Sequence, residues 1–336
     1  MQSTVTIKDV ASRAGVAVST VSRVINKRDR VSPKTRKKVL QAIDELEYVR
    51  NNLAASIKTG TTRFIVAVVP DIINEFYTAV IRGVEEVARA KGYYTLVHTT
   101  KESAEQSVDA FDERFSRMVD GIILVPAMAD KTIYENFDKP VVIVDREIPK
   151  SHVYSVTVDN YKGACILAQE LIDNGHTKIA FVIGASAFNV TFDRMKGFLD
   201  TLVKNNIKPV DAYICRGSWY RETGYQVTEY LLNLPDPPTA VFAGNNQICI
   251  GCAKYMLEHG LQIGRDISLV GFDDSEVMQY LGSGITSIDR PTFEMGRIGA
   301  EMLVALLENR VDSILEKKVK LDVKLIRRHS VARLSQ

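Results

Sequence analysis

Over the first fifty residues the apolar positions recur every three or four places, the period of a helix face. Ile7, Val10, Ala11 and Ala14 make one such stripe. Thr6 to Asp9 ahead of it has the form of a capping box, with Asp in the usual Glu place, so a helix is predicted over 7–14. Gly15 supplies a turn, and a second helix over about 18–26 turns Val21, Val24 and Ile25 inward. Ser32 and Pro33 give an N-cap with Pro at the first helical position, opening a third helix with Val39, Leu40, Ile43 and Leu46 inward. From residue 63 the period changes. Short continuous apolar runs at 64–69, 94–98, 121–125, 141–144, 154–158, 178–183, 212–215, 240–243 and 268–270 alternate with helical stretches. This alternation predicts parallel, doubly wound sheets. So many strands exceed one comfortable sheet, and two α/β lobes with a cleft between them are expected.

Composition adds bounds. The 336 residues are 46% hydrophobic and 25% charged, enough for two or three domains with a sizeable core. The longest apolar runs are far too short to span a bilayer. The opening stretch MQSTVTIKDV lacks the apolar region and cleavage site of a secretory signal, so a cytoplasmic location is expected. Cys249 and Cys252 form a Cys-x-x-Cys, a spacing used by redox pairs and half zinc sites. No second Cys pair accompanies it, no His lies at ligand spacing from another, and the pair sits inside an apolar helix pattern, so both thiols, like Cys165 and Cys215, are assigned to the core. No metal or cofactor is expected.

Charge is distributed unevenly. Residues 1–60 hold 12 Lys/Arg and 5 Asp/Glu, a net of +7, whereas the remainder holds 31 and 36, a net of −5. A short basic module on an acidic body is the footprint of a nucleic-acid-binding head. Its second helix leaves Val18, Ser19, Ser22, Arg23 and Asn26 facing outward, with Thr20 at the flank. Small residues and donors on a free helix face suit a major groove, and Arg23 is the candidate for a bidentate contact to guanine.

The stretch TIKDVASRAGVAVSTVSRVINKRDRVSPKTRKKVLQAIDELEYVRNNLAASI resembles the DNA-binding head of the lac repressor (LacI/GalR) family. The resemblance implies base contacts from Val18, Ser19 and Arg23, and phosphate or positioning contacts from Thr6, Thr20, Ser22, Asn26, Ser32, Thr35, Tyr48 and Asn51. It also implies that residues 51–58 form a hinge helix that orders on operator binding, with Ile57 wedged into the minor groove and Lys58 adding a groove or phosphate contact. Three positions depart from the family pattern here: Ala17 stands where Ser is frequent, Arg50 where Pro is frequent, and the stiffer, β-branched Ile57 where Leu is usual.

In doubly wound folds, ligands bind beyond the carboxyl ends of the strands, which selects Asp71, Asp145, Arg146, Asn245 and Asp273. The body resembles the periplasmic sugar-binding-protein-like core of the same family, through PDIINEFYTAVIRGVEEVA, DGIIL, VDN followed by Gly163, GHTKIAFVIG, RMKGF and VGFDD. That resemblance implies that Arg194, Asn245, Asp273 and Asp145 hydrogen-bond ligand hydroxyls. Phe76, Phe192 and Trp219 are candidates for the aromatic face that a sugar's C–H surface needs. Asn246 replaces a frequent Asp and Arg290 a frequent Gln, so the pocket carries over and its specificity does not. Glu301 stands where the catabolite-control subgroup presents a basic residue to a phosphorylated carrier protein, and that partner is not implied.

The expected organisation is an all-α helix-turn-helix head over 1–50, a hinge helix and linker over 51–62, and a body over 63–336. Within the body, lobe one is expected to take 63–160 and 291–318, and lobe two 161–288 and 319–330. The expected function is a transcription regulator, a repressor that binds a near-palindromic DNA operator as a homodimer under control of a sugar-like effector, with no membrane partner. Only residues 331–336 follow the LIRRHS segment, too few for a heptad repeat, which favours a dimer over a coiled-coil tetramer. Two rivals are a sugar-binding protein without regulatory duty, which would lack the head, and a sugar enzyme using Asp145 or Asp273. No catalytic Ser-His-Asp order, P-loop or metal motif accompanies those carboxylates.

Overall fold

A computed structural model of the chain describes residues 5–25, 31–48, 61–148 and 150–334. It divides into two compact units, 1–62 and 63–336.

The first unit holds three helices, α1 (Ile7–Ala14), α2 (Val18–Ile25) and α3 (Pro33–Glu45). The Asp9 carboxylate accepts from the Thr6 backbone N–H at 2.8 Å and the Thr6 hydroxyl at 2.7 Å, which fixes the start of α1. Those bonds hold the Asp9 carboxyl below its usual pKa. Gly15 ends α1 at φ 64°, a left-handed conformation that costs any other L-residue about 1–2 kcal/mol. The Ser32 hydroxyl caps α3 by accepting from Thr35 N–H at 3.2 Å, with Pro33 at the first turn. Val10, Ala11, Ala14, Val21, Val24, Val39 and Ala42 form the core between the helices. Leu40 departs from expectation and is 53% exposed. At 100° per residue, burying Val39 with Ala42 turns the next side chain out of the stripe.

The second unit is built on twelve strands among the described residues: β1 (Phe64–Val69), β2 (Tyr94–Thr99), β3 (Gly121–Leu124), β4 (Val141–Val144), β5 (Tyr154–Val158), β6 (Ile179–Gly184), β7 (Ile214–Gly217), β8 (Ala240–Ala243), β9 (Ser268–Phe272), β10 (Thr286–Asp289), β11 (Lys318–Leu321) and β12 (Lys324–Ile326). They form two six-stranded sheets, ordered β11-β5-β4-β3-β1-β2 and β12-β10-β9-β8-β6-β7. Every pairing is parallel except β10 with β12. The longer helices that cover them are α4 (Glu75–Ala90), α5 (Asn160–Asp173), α6 (Asn189–Lys204), α7 (Arg221–Leu232), α8 (Asn246–Glu258) and α9 (Thr292–Leu307).

The nine apolar runs read from the sequence are all strands, with ends within two residues. β1, β3, β4, β6, β8 and β9 are buried along nearly their whole length, as strands covered by helices on both faces must be. The chain crosses between lobes after β5, after β10, and between β11 and β12. The last crossing corrects the expected boundary after residue 318. Val319 pairs with Val156 and Leu321 with Val158, so 319–321 complete the first sheet, and lobe two resumes at β12 beside β10.

Two strand ends share an unusual geometry. Asp145, after β4, has φ 76°, and Asp273, after β9, has φ 69°. Both are left-handed non-glycine residues, a strain of about 1–3 kcal/mol each that persists only where the surroundings over-determine it.

Candidate DNA-reading face and inter-lobe ligand site

On α2, Val18 is 41% exposed, Ser19 and Arg23 are exposed, and Thr20 and Ser22 are half-buried. Arg23 has no ion-pair partner among the described residues, in contrast to Arg13, which bonds Glu45 of α3 at 2.7 Å. Its five donors are therefore available to a partner outside the unit. Thr6, Ser32 and Thr35 already serve the helix starts, and the Ser32 and Thr35 hydroxyls lie 2.9 Å apart. Tyr48 is half-buried against the head core. Asn26, Asn51, Ile57 and Lys58, with the whole expected hinge helix, lie outside the described residues.

Within the body, the carboxyl ends of both sheets converge on a cavity of about 20 Å³, lined by Asn74, Phe76, Tyr77, Asp145, Arg146, Val190, Arg194, Trp219, Asn245, Asp273 and Arg290. Seven of the nine side chains expected there are present. The other two stand elsewhere. Phe192 is 61% exposed, because α6 turns Val190 and Arg194, four residues apart, toward the cavity and so presents the residue midway between them to solvent. Asp71 closes a turn, accepting from Ile73 N–H at 2.9 Å.

Each lobe anchors one arginine. Arg146 forms a fork with Glu102 at 2.6 and 2.5 Å and donates to the Pro126 carbonyl at 2.9 Å and the Tyr77 hydroxyl at 3.3 Å. Burial disfavours its charge, and the surrounding Tyr77, Glu102 and Asp145 more than offset that, raising its pKa. Arg194 donates to Asn160 Oδ1 at 2.9 Å and to the Gly244 carbonyl at 2.5 Å, and lies 3.7 Å from the centre of the Phe272 ring. Burial pulls its pKa down to about 10, with Asp273 pulling the other way, so it stays charged at neutral pH. Its Nη2 stands 3.7 Å from Asp273 Oδ1, too far for a hydrogen bond.

Arg290 joins the lobes. Its Nη1 donates to Asp145 Oδ1 at 2.5 Å, its Nε lies 2.5 Å from Asp273 Oδ1, and its guanidinium covers the Phe76 ring at 3.9 Å. Burial opposes its charge, and Asp273 and Asp145 outweigh burial, so its pKa is raised. The contact with Asp273 is ionic without hydrogen-bond geometry, leaving Arg290 Nε and Asp273 Oδ1 both unpartnered. Trp219 Nε1, in the same lining, is buried without a partner, as is Asn246 Oδ1 elsewhere in the body. An unsatisfied buried polar atom costs about 1–3 kcal/mol, and Trp219 Nε1, in the cavity lining with no charge to offset it, calls for an explanation.

The remaining polar groups hold the frame. Asn245 caps α8, accepting from Ile248 N–H at 2.8 Å, and donates to the Trp219 carbonyl at 3.0 Å. Asn246 donates across the cleft to Asn74 Oδ1 at 2.8 Å, and Asn189 accepts from Glu147 N–H at 2.8 Å. The Trp219 ring lies over Gly184 at the end of β6, where a Cβ would stand 2.1 Å from the indole. Asn74, Tyr77, Val190 and Arg290 were not among the candidates. The strand-end rule finds Arg290 only if Thr286–Asp289 is recognised as a strand, and TSID carries too little apolar signal for that.

A three-helix head with an exposed, donor-bearing second helix, in one chain with a two-lobed body enclosing a polar, aromatic-walled cavity, defines a ligand-sensing helix-turn-helix regulator. Residues 6–51 match the family of bacterial regulatory proteins, lacI family, and residues 168–331 match the periplasmic binding protein-like domain. The chain is 31% identical over 314 residues to catabolite control protein A of Priestia megaterium, covering 92% of this chain and 95% of that one. Its fold matches the lac repressor dimer bound to operator and the anti-inducer ONPF, with a TM-score of 0.84, 26% identity, and coverage of 98% and 100%. It also matches the transcriptional regulator CelR–cellobiose complex, with a TM-score of 0.72, 27% identity, and coverage of 97% and 99%. The chain belongs to the LacI family of bacterial regulatory proteins. It is a sequence-specific DNA-binding transcriptional regulator.

Proposed function

We propose that the chain is a repressor that binds a near-palindromic operator as a homodimer in the cytoplasm, and that a sugar-like effector in the inter-lobe cavity sets its grip on DNA. Twofold symmetry in a dimer calls for matching half-sites in the DNA. The relatives described above as bound to operator, as a dimer and in complex with cellobiose support this reading. The observation that carries it is the convergence of Asp145 and Asp273 from the two lobes with Arg194, Asn245 and the Phe76 and Trp219 rings. Carboxylates accept from ligand hydroxyls, the guanidinium and amide donate to them, and the rings cover the C–H surface.

Val18, Ser19 and Arg23 read bases, and Thr6, Thr20, Ser22, Asn26, Ser32, Thr35, Tyr48 and Asn51 position the head on phosphates. Residues 51–58 carry the signal from body to head, with Ile57 and Lys58 in the minor groove. The effector acts through different affinities for two lobe arrangements, since equal affinity shifts no equilibrium.

A mobility-shift titration against the chain's own promoter region tests the proposal. Specific binding should weaken steeply with salt, and Arg23→Ala should cost about 1–3 kcal/mol of discrimination at one base position. Equal affinity for scrambled DNA would overturn the assignment of these contacts.

A further inference from the structure

The cavity's volume of about 20 Å³ admits little more than one water, against several hundred for a site that encloses a small ligand. What fills the space is the Arg290 guanidinium. It stands over the Phe76 ring at 3.9 Å and bonds Asp145, the place expected of a ligand held by that ring and that carboxylate. A sugar must therefore take the oxygens that Arg290 now uses. Arg290 is itself fully buried and set between β10 and Pro291, so its charge stays in the cleft when the ligand enters.

A neutral sugar that takes up Asp145 and Asp273 offers the guanidinium only hydroxyl oxygens in exchange, weaker partners for a buried cation than a carboxylate. A ligand bearing its own carboxylate exchanges one pair for another. Its hydroxyls donate to the two aspartates while its carboxylate takes the planar fork of Arg290. Trp219 Nε1, a buried donor without a partner, and Arg194 Nη2, which makes no hydrogen bond to Asp273, are further donors in the same cavity.

Resting on the sugar reading above, we infer that the effector is a sugar acid, a polyhydroxylated monocarboxylate, and that Arg290 is the residue that selects it. The charge count limits the ligand to one negative charge. Arg146, Arg194 and Arg290 stand against Glu102, Asp145 and Asp273, a net charge of zero, so any negative charge on the ligand beyond the one held by the Arg290 fork meets only repulsion from the aspartates.

Isothermal titration calorimetry of the full chain with galacturonate, glucuronate and gluconate, against galactose, glucose and glucose 6-phosphate, tests this. At least one acid should bind tenfold or more tightly than its neutral parent and than the phosphate. Arg290→Gln should lower that acid's affinity at least tenfold and leave the neutral sugar's unchanged or improved, and Arg290→Lys, which keeps charge without the fork, should fall between. If the Gln variant fails to fold, the acid-to-neutral ratio in the unaltered chain and in Arg290→Lys decides. A neutral hexose binding as tightly as its acid, a tighter phosphate, or an acid indifferent to both substitutions overturns the inference and leaves the sugar reading standing. Silence from acids, neutral sugars and phosphate alike overturns both.

Discussion

Arg23 and Arg194 carry the same guanidinium and face opposite demands. Arg23 stands exposed on a helix of the head with no ion-pair partner among the described residues, so folding asks nothing of it and its chemistry is left for another molecule. Arg194 is fully buried in the body, stacked on Phe272 and bonded to Asn160 and the Gly244 carbonyl. Its role in any ligand complex is inseparable from its role in the fold. The difference teaches where to look for each kind of function: on the head, in what the structure leaves unused; in the cleft, in what it holds under strain.

That contrast can be broken most decisively at Arg194. Arg194→Met removes a cation from a buried network and leaves Asn160 Oδ1 and the Gly244 carbonyl without their donor, so urea denaturation of the full chain should show a loss of about 3–5 kcal/mol. A loss below about 1 kcal/mol would mean the network is peripheral to folding. Arg23→Ala should leave the same denaturation curve within about 0.5 kcal/mol while lowering discrimination at one base position by about 1–3 kcal/mol, and a large stability loss there would dissolve the comparison. An intermediate case is Ser32, which serves the fold as cap of α3 and is also assigned a DNA contact. Ser32→Ala should cost the head about 1 kcal/mol, read by thermal melting, in addition to any loss of operator affinity.

The smallest effect is a pH dependence. Buried His176 accepts from or donates to the Thr239 hydroxyl at 2.8 Å through Nδ1, and its Nε2 lies 3.1 Å from the Ala332 carbonyl and 2.9 Å from the Ser268 hydroxyl. A carbonyl only accepts, so Nε2 carries the proton in the neutral ring. Burial lowers its pKa below 6.5, with the Ala332 bond acting the other way. The unfolded chain therefore takes up the proton first as pH falls, and the stability this site contributes, complete above pH 6.5, declines from there toward the folded-state pKa. Comparing denaturation midpoints at pH 7.5 and 5.5 in the unaltered chain and in His176→Gln should show a smaller acid loss in the variant. Equal losses would remove His176 from the account.

What was legible in the sequence follows the same division. β1, β4 and β8 end where their apolar runs end, because these strands, buried on both faces, have no polar position to blur them. Asp145, Arg146, Asn245 and Asp273 followed from the position of strand ends alone. β10, β11 and β12 were missed because TSID, KVKL and KLI are short and carry charged or hydroxyl groups, and without β10 Arg290 showed only through the family resemblance, as a charge where Gln is frequent. Phe192 and Leu40 failed for a different reason. Each belongs to a helix whose existence was evident and whose rotation was not, and one residue of phase carries a side chain from the interior to solvent.

The two sheets have one order. Replacing β1 to β5 and β11 by β6 to β10 and β12 turns the first into the second, and β4 then corresponds to β9, so Asp145 and Asp273 are counterparts with the same left-handed backbone. The cleft is in this sense a contact between two copies of one half-molecule, alike in backbone apart from the sixth strand, which is parallel in the first sheet and antiparallel in the second. Orientation must come from positions where the halves diverge. The residue after β5 is Asp159, spent on capping α5, and the residue after β10 is Arg290. Inversions of charge between equivalent sites, Asp159 against Arg290 and Arg146 against Asp274, thus give a repeated frame its polarity.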